Sequence, residues 1–321
     1  MMKAVFLDAA TLGDDVDLRP IRDAVDELVL HDRTTPDQIS ERIAGFDTVI
    51  TNKVVLGESH FSENPSLKFI ALTATGTNNI DLDAAASAGV RVVNVIQYGR
   101  ATVAQHTMAL ILALATRLVD YHKDVQAGEW ARSPQFCLMD HPIMELEGKT
   151  LGLFGYGDLG QGVADLARAF GMKVLLGARP GHAPGIDKGV PRVPLDELLP
   201  QVDVLSLHCL LTDETRNMIG ADELAKMQSH ALLINTSRGG LVDEQALADA
   251  LRAGQIGGAG FDVLTEEPPV NGNPLLADDI PNLIVTPHSA WASMEARQRM
   301  VQLTADNLNA MKGNTLERWV V

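Results

Sequence analysis

Four polar groups in the second half of the chain stand just beyond short apolar, β-branched runs. They are His208 in "LHC", Arg238 in "NTSRGG", Asp262 through Glu267 in "GFDVLTEEPP", and His288 in "VTPHSAW". Parallel sheets bind ligands beyond the carboxyl ends of their strands, so side chains in such places are candidates for chemistry. Reduction of a 2-oxo acid needs three groups: a cation for the carboxylate, an acid beside the carbonyl oxygen, and a partner that holds the acid's pKa near neutrality. Arg238, His288 and Glu267 suit these roles in that order. Taken singly, each has an ordinary alternative: a satisfied loop arginine, a capping histidine after Pro287, and a solvated turn acid before Pro268. Their joint occurrence at strand ends is what makes the set. His208 reads better as a structural or ligand-adjacent histidine than as the acid.

Upstream, "LFGYGDLG" supplies Gly155, Gly157 and Gly160 as G-x-G-x-x-G, after the strand-like "KTLGLF" and before the helical "QGVADLARAF". The spacing has a mechanism. Gly155 permits a tight turn, Gly157 lets a pyrophosphate approach the backbone, and Gly160 lets the helix pack closely on the strand. Unpaired N–H groups at the helix start then face the phosphates. Such a site ordinarily has an acid at the end of the next strand to hold the adenosine 2'-hydroxyl. Here "KVLLGARPG" puts Ala178 in that place and Arg179 after it. Ala178 cannot repel a 2'-phosphate, and a guanidinium at Arg179 suits one. The alternative for Arg179 is a solvent-facing turn residue stacked on adenine. NADP(H) is therefore expected over NAD(H), which stays possible.

These residues need a scaffold, and the chain has the length for two domains at 321 residues. A first set of strand candidates, "KAVFLD", "ELVLHD", "DTVIT", "KFIALTAT" and "VRVVNV", alternates with helical stretches such as "TPDQISERIAG", with Thr35 as its cap. A second set, "KTLGLFGYG", "MKVLLGA", "VDVLSLHC", "ALLINTS", "GGAGFDV" and "NLIVTPH", alternates with helices that include "GQGVADLARAFG" and "DEQALADALRAG", each ended by a glycine. Alternation of this kind implies an α/β fold with parallel sheets, here two Rossmann-like or flavodoxin-like domains. A long apolar helix from about Val103 to Val119 follows the first set, and a second helical pattern runs from roughly Met294 to Met311. The expected division is residues 1–101 with 291–321 as one domain and 102–290 as the other, with an active-site cleft between them. In the first domain "LTATGTNNIDLDAA" breaks a strand at Thr75, Gly76 and Thr77. That is either a backbone nest for a carboxylate or a plain turn into a helix near Asp81.

Composition narrows the partners. A net charge of -16 argues against nucleic acid and anionic lipid, though one local arginine can still receive an anionic substrate. Two cysteines, Cys137 and Cys209, make neither a disulfide framework nor a thiolate metal site, and no metal is expected. The N-terminus lacks a secretory pattern, and "VAQHTMALILALATRLV" carries Gln105, His106 and Arg117, so it reads as a buried helix rather than a membrane span. A cytoplasmic protein is the expectation.

At this point the sequence resembles the D-isomer-specific 2-hydroxyacid dehydrogenases over essentially its whole length. The motifs that carry the resemblance are "TGTNNIDLDAA", "NVIQYGRATVAQHTMALILAL", "GKTLGLFGYGDLGQGVADLARAFGMKV", "VDVLSLHCLLTDETRNMIG", "LLINTSRGGLVDEQALADAL", "GGAGFDVLTEEPP" and "LIVTPHSAW". The resemblance implies that Arg238 grips the substrate, that His288 exchanges the proton, and that Glu267 bonds the imidazole. It places substrate contacts at Thr75 and Gly76, with pocket walls at Tyr98, Arg100 and Trp291. It places the cofactor's phosphate turn at Tyr156, Gly157, Asp158 and Leu159, and nicotinamide neighbours at Val103, Thr236 and Asp262. His208, Cys209, Thr215 and Ala290 complete the implied cofactor lining. The branch it is most similar to contains glycerate dehydrogenases and hydroxypyruvate or glyoxylate reductases, whose members are usually homodimers. Leu210 and Ala178 depart from the family pattern, in place of a proline and an acid. A dehydrogenase for a bulkier 2-oxo acid, and a non-catalytic NAD(H)-sensing corepressor on the same fold, are the alternative readings.

Overall fold

Each apolar run of the first set becomes a short strand: β1 (Lys3–Phe6), β2 (Glu27–Leu30), β3 (Thr48–Thr51), β4 (Phe69–Leu72) and β5 (Arg91–Asn94). The helices between them are α1 (Arg19–Ala24), α2 (Ile39–Ile43), α3 (Glu58–Glu63) and α4 (Leu82–Ser87). The computed structural model describes residues 1–178 and 183–321, so Arg179 lies outside the described residues. The second half carries α5 (Arg100–Ala115), α6 (Leu118–Gln126), α7 (Glu129–Arg132), β6 (Thr150–Phe154), α8 (Asp158–Ala169) and β7 (Lys173–Gly177). Then follow β8 (Gly185–Asp187), β9 (Val190–Val193), α9 (Leu195–Leu198), β10 (Val204–Leu207), α10 (Ala221–Lys226), β11 (Leu232–Asn235) and α11 (Glu244–Arg252). β12 (Gly258–Phe261), β13 (Leu283–Val285) and α12 (Met294–Lys312) complete the chain. Two compact units result, Met1–Gly99 with Ala292–Val321, and Arg100–Trp291.

The first unit is a five-stranded sheet in the order β2-β1-β3-β4-β5, parallel throughout. That is the flavodoxin-like order. Val5, Leu7, Ile70, Leu72 and Val92 are buried on the sheet, and α12 packs against α1. Local signals set the helix starts. Asp81 accepts the Ala84 N–H at the start of α4, and Ser293 accepts that of Ala296 at the start of α12. Thr35 precedes a short 3-10 turn at Pro36–Gln38 that runs into α2, and Gln38 Oε1 accepts the Thr35 N–H at 3.1 Å.

In the second unit the order is β13-β12-β11-β10-β6-β7-β9-β8. Two of these strands were not anticipated. β8 and β9 form an antiparallel hairpin on the edge beside β7, closed by Lys188 and Gly189 with φ of 48° and 81°. The two-residue turn with positive φ at both positions is the tight hairpin type. The strands are short and interrupted by Pro191, which hides them from a periodicity reading and suits an edge.

The long apolar helix also differs from expectation. It ends as α5 at Ala115, and α6 leaves at an angle of 57°. Neither glycine nor proline causes the break. Arg117 adopts a left-handed backbone, φ 53°, and its Nε donates to Asp120 Oδ2 at 2.6 Å, starting the new helix. α5 packs on α8, β11 and β12. Glycines permit the close approach: a Cβ on Gly162 would come within 3.2 Å of Ala104 Cβ, and one on Gly260 within 3.1 Å of Leu110 Cβ. Ala101, Gln105 and Ala109 stay exposed along one stripe, and the apolar residues of the other faces are buried in these contacts. Among the described residues no single helix is long and apolar enough to cross a membrane.

Candidate active site

β6 and β10 are neighbours at the centre of the second sheet, with the chain running outward on both sides of them. A crevice outside the carboxyl ends of two such strands is where sheets of this kind hold ligands. The glycine turn leaves β6 there. Gly155 has a φ of 105°, and a Cβ on it would lie 2.5 Å from the His208 carbonyl carbon, just past β10. A Cβ on Gly160 would lie 2.2 Å from the Gly155 oxygen. Both glycines are therefore required by the protein itself. Gly157 is different. Its φ of -76° is open to any residue, and a Cβ on it would meet nothing within 4 Å. Nothing in the chain demands glycine at that point, whereas a pyrophosphate lying against the backbone would. The N-terminus of α8 starts at Asp158 directly behind, with Gln161 Nε2 bracing the Tyr156 and Gly157 carbonyls at 3.1 and 3.0 Å. These features fit a dinucleotide, held by backbone N–H groups of the turn and the first residues of α8.

Around this turn, several expected lining residues have internal tasks. His208 is half-buried; desolvation pushes its pKa down to about 4, and Nε2 pairs with Ser206 Oγ at 2.8 Å. A neutral imidazole of this kind is not the proton donor. The Cys209 carbonyl accepts from Ser237 Oγ at 2.7 Å. Thr215 is buried, and its hydroxyl donates to the Leu210 carbonyl at 2.8 Å, shaping the turn on which Leu210 is exposed. Ala178 is buried at the end of β7, its N–H donating to the Val193 carbonyl at 2.8 Å. Arg100, implied as a substrate contact, is committed elsewhere. Its guanidinium reaches Asp158 at 3.2 Å and Asp165 at 2.8 Å, because α5 lies directly on α8.

The proposed catalytic side chains come from three strand ends of the same sheet. Arg238 follows β11; its carbonyl accepts from Asn235 Nδ2 at 2.8 Å, and its Nη1 donates to the Ser237 carbonyl at 2.7 Å. The next residue, Gly239, touches the loop after β12, where a Cβ would lie 2.0 Å from the Leu264 carbonyl carbon. That loop delivers Glu267. Its Oε1 accepts the Leu264 N–H at 2.8 Å, and its Oε2 lies 2.6 Å from His288 Nδ1. Burial opposes ionisation of Glu267, yet the His288 and Leu264 hydrogen bonds, with the charges of His288 and Arg238, hold its carboxyl below the usual range. A carboxylate only accepts hydrogen bonds, so Nδ1 of His288 carries a proton.

His288 has a left-handed backbone, φ 52°, which is costly for a residue with a side chain. Asp262 holds it there. This carboxylate, 1% exposed, accepts the Ser289 N–H on Oδ1 at 2.9 Å and the Ala290 N–H on Oδ2 at 2.8 Å. The Asp262 carbonyl accepts the His288 N–H at 2.8 Å, and Trp291 Nε1 donates to the His288 carbonyl at 2.9 Å. From α5, Thr102 Oγ1 donates to the Ala290 carbonyl at 3.0 Å. Val103 is buried one residue on, and its carbonyl accepts from Thr107 Oγ1, which lies 3.0 Å from Thr236 Oγ1. Sequence reasoning missed Thr102, His106, Thr107 and Thr286. The available signal was the four-residue spacing of Thr102 and His106, which puts both on one face of α5.

In the first unit, Thr75 and Gly76 follow β4. Thr75 Oγ1 donates to the Val95 carbonyl at 2.9 Å, and the Thr75 carbonyl accepts from Asn94 Nδ2 at 2.6 Å. The Tyr98 carbonyl accepts from Arg299 Nε and Nη2 at 3.1 and 3.0 Å, tying that turn to α12. No cluster of His, Cys, Asp and Glu suited to a metal ion is present among the described residues.

Comparison with known proteins places this geometry in a family. Residues 108–290 match the D-isomer specific 2-hydroxyacid dehydrogenase, NAD binding domain. The chain is 45% identical to glycerate dehydrogenase of Methylorubrum extorquens, covering 96% of this chain and 95% of that one. It is 37% identical to hydroxypyruvate reductase of Blautia hydrogenotrophica, covering 98% of each. An acyclic imino acid reductase solved with NADPH and D-Arg superposes with a TM-score of 0.85 at 27% identity, covering 100% of both chains. The chain belongs to the D-isomer specific 2-hydroxyacid dehydrogenase family. It is an oxidoreductase that uses a nicotinamide cofactor to reduce small 2-oxo acids to D-2-hydroxy acids.

The contrast between the glycines gives a direct test. Gly157→Ala is expected to keep the stability of the cofactor-free protein while weakening NAD(P)H binding by roughly tenfold or more, about 1.4 kcal/mol. Gly160→Ala is expected to lower stability itself, by about 1–3 kcal/mol from overpacking. Thermal unfolding and fluorescence titration with the cofactor separate the two effects.

Proposed function

We propose that the substrate is hydroxypyruvate or glyoxylate, that Arg238, Glu267 and His288 carry out the reduction, and that NADPH is preferred over NADH. The observation that carries the reading is the 2.6 Å pair of Glu267 and His288, with Arg238 close enough to bear on the Glu267 carboxyl. Arg238 holds the substrate carboxylate and polarises the oxo group as a planar fork of donors. When bound, the nicotinamide supplies a hydride to C2. His288 gives the Nε2 proton to the oxygen that becomes the hydroxyl, while Glu267 keeps Nδ1 protonated and fixes the ring plane. In the reverse direction His288 takes the proton from the hydroxyl. The glycerate dehydrogenase and hydroxypyruvate reductase relatives support the choice of substrate. A corepressor would have no use for an assembled Glu267–His288 pair.

Cofactor preference rests on what stands at the end of β7. A buried alanine there offers no carboxylate to bind a ribose hydroxyl or to repel a 2'-phosphate. Solved relatives of similar identity carry NADPH in one case and NAD in another, so the preference rests on the alanine alone. Initial rates with hydroxypyruvate, glyoxylate, pyruvate and a branched 2-oxo acid, each with NADPH and NADH, test both parts together. The highest kcat/KM is expected for hydroxypyruvate or glyoxylate with NADPH. A strong NADH preference would remove the cofactor reading, and a preference for the branched acid would replace the substrate.

The protein acts as a homodimer in this reading, paired through the arm formed by α6, α7 and residues 133–144. Trp130, Phe136, Met139 and Ile143 are exposed along it, Phe136 to 87% and Met139 to 80%. Exposed apolar side chains of this size mark an interaction surface, and residues of the same copy leave them uncovered. Sedimentation of the wild-type chain is expected to give a dimer, and Phe136→Asp with Met139→Asp a monomer. A monomeric wild-type chain would contradict the reading.

A further inference from the structure

His106 projects from α5 toward the turn that carries His288. Its Nε2 lies 3.0 Å from Thr286 Oγ1 and 3.5 Å from Asp262 Oδ1. Thr286 Oγ1 in turn lies 2.6 Å from Asp262 Oδ1. The donor and acceptor inventory fixes the direction of this chain. Asp262 already accepts the Ser289 and Ala290 N–H groups, one on each oxygen, and as a carboxylate it has no proton to give. The short contact with Thr286 therefore uses the single hydroxyl proton of that threonine. What Thr286 has left toward His106 is a lone pair. Nε2 of His106 must then be the donor.

We infer that His106 is a positioning residue for the reaction, with its proton held on Nε2 and passed on as an ordered run of hydrogen bonds, His106 to Thr286 to Asp262. His106 orients the Thr286 hydroxyl, Thr286 satisfies Asp262 Oδ1, and Asp262 grips the backbone at 289 and 290. That grip keeps His288 in its left-handed conformation with the ring against Glu267. The inference rests on the reading of His288 as the proton donor and adds to it a specific tautomer and direction. His106 touches neither Glu267 nor His288 in the hydrogen bonds it makes, so its effect reaches the reaction only through the turn.

The tautomer can be observed in the intact wild-type protein, labelled with 15N-histidine and assigned by the signals lost in His106→Gln. A protonated Nε2 at His106 is expected. An unprotonated Nε2, with the proton on Nδ1, would overturn the inference whatever His288 does. Kinetics supply the second arm. His106→Leu and Thr286→Val are expected to lower kcat on the order of 10–100-fold, with KM for hydroxypyruvate and cofactor affinity changed far less. His106→Gln and Thr286→Ser, which keep a donor in each place, are expected to restore most of kcat. In a His288→Ala background, His106→Leu is expected to cost nothing further. An equal loss in that background, or a parallel fall in kcat and cofactor affinity, would show that His106 acts on the fold or on the cofactor instead.

Discussion

A buried carboxylate that accepts two successive backbone N–H groups dictates the path of the chain beside it, and Asp262 does this to the turn after β13. Its oxygens hold the amides of Ser289 and Ala290, and its own carbonyl holds that of His288. The cost is a charge 1% exposed and a histidine at φ 52°, the latter worth about 1–3 kcal/mol of strain. The return is a fixed ring. Imidazole Nδ1 meets Glu267 at 2.6 Å. Remove the grip and the backbone relaxes toward ordinary dihedrals, carrying the imidazole away from its partner.

The sheet gives this arrangement its frame. β11, β12 and β13 are adjacent and parallel, so their carboxyl ends bring residues 238, 262–267 and 288 side by side although fifty residues separate the first from the last. β6 and β10, next in the same sheet, put the glycine turn against His208. Helix α5 joins the two halves of the site from beneath. Thr102 and His106 reach the His288 turn, Thr107 reaches Thr236, and Arg100 reaches α8. One apolar helix thus serves as core and as the source of the polar tethers.

Much of this was legible in the sequence, for identifiable reasons. Strands buried on both faces read as continuous apolar runs, which located β6, β10, β11 and β12, and the part-buried β7 and β13 kept enough apolar residues to be read as well. Gly155 and Gly160 were recognisable because close packing leaves no substitute, and the strand-end positions of Arg238, Glu267 and His288 followed from the apolar runs before them. The β8–β9 hairpin was hidden by its shortness and by Pro191. The break after α5 was hidden because Arg117 turns left-handed without glycine or proline, stabilised by a local partner at Asp120. Arg100 looked like a substrate contact until α8 brought Asp158 and Asp165 to it. The tethers from Thr102, His106 and Thr286 left only the four-residue spacing of Thr102 and His106 as a signal, which marks a shared helix face but not the partners 180 or more residues away.

Single-turnover hydride transfer in His288→Ala tests the central claim most directly. The variant is loaded with NADPH, mixed with hydroxypyruvate at neutral pH, and followed by the loss of nicotinamide absorbance beside the wild-type chain. Cofactor affinity within about threefold of wild type is expected, because the imidazole acts on the reacting oxygen rather than on the dinucleotide. The transfer step is expected to slow by on the order of 10²–10⁴-fold, the usual contribution of a positioned general acid. Transfer at a near wild-type rate would contradict the assignment of His288 as the proton donor.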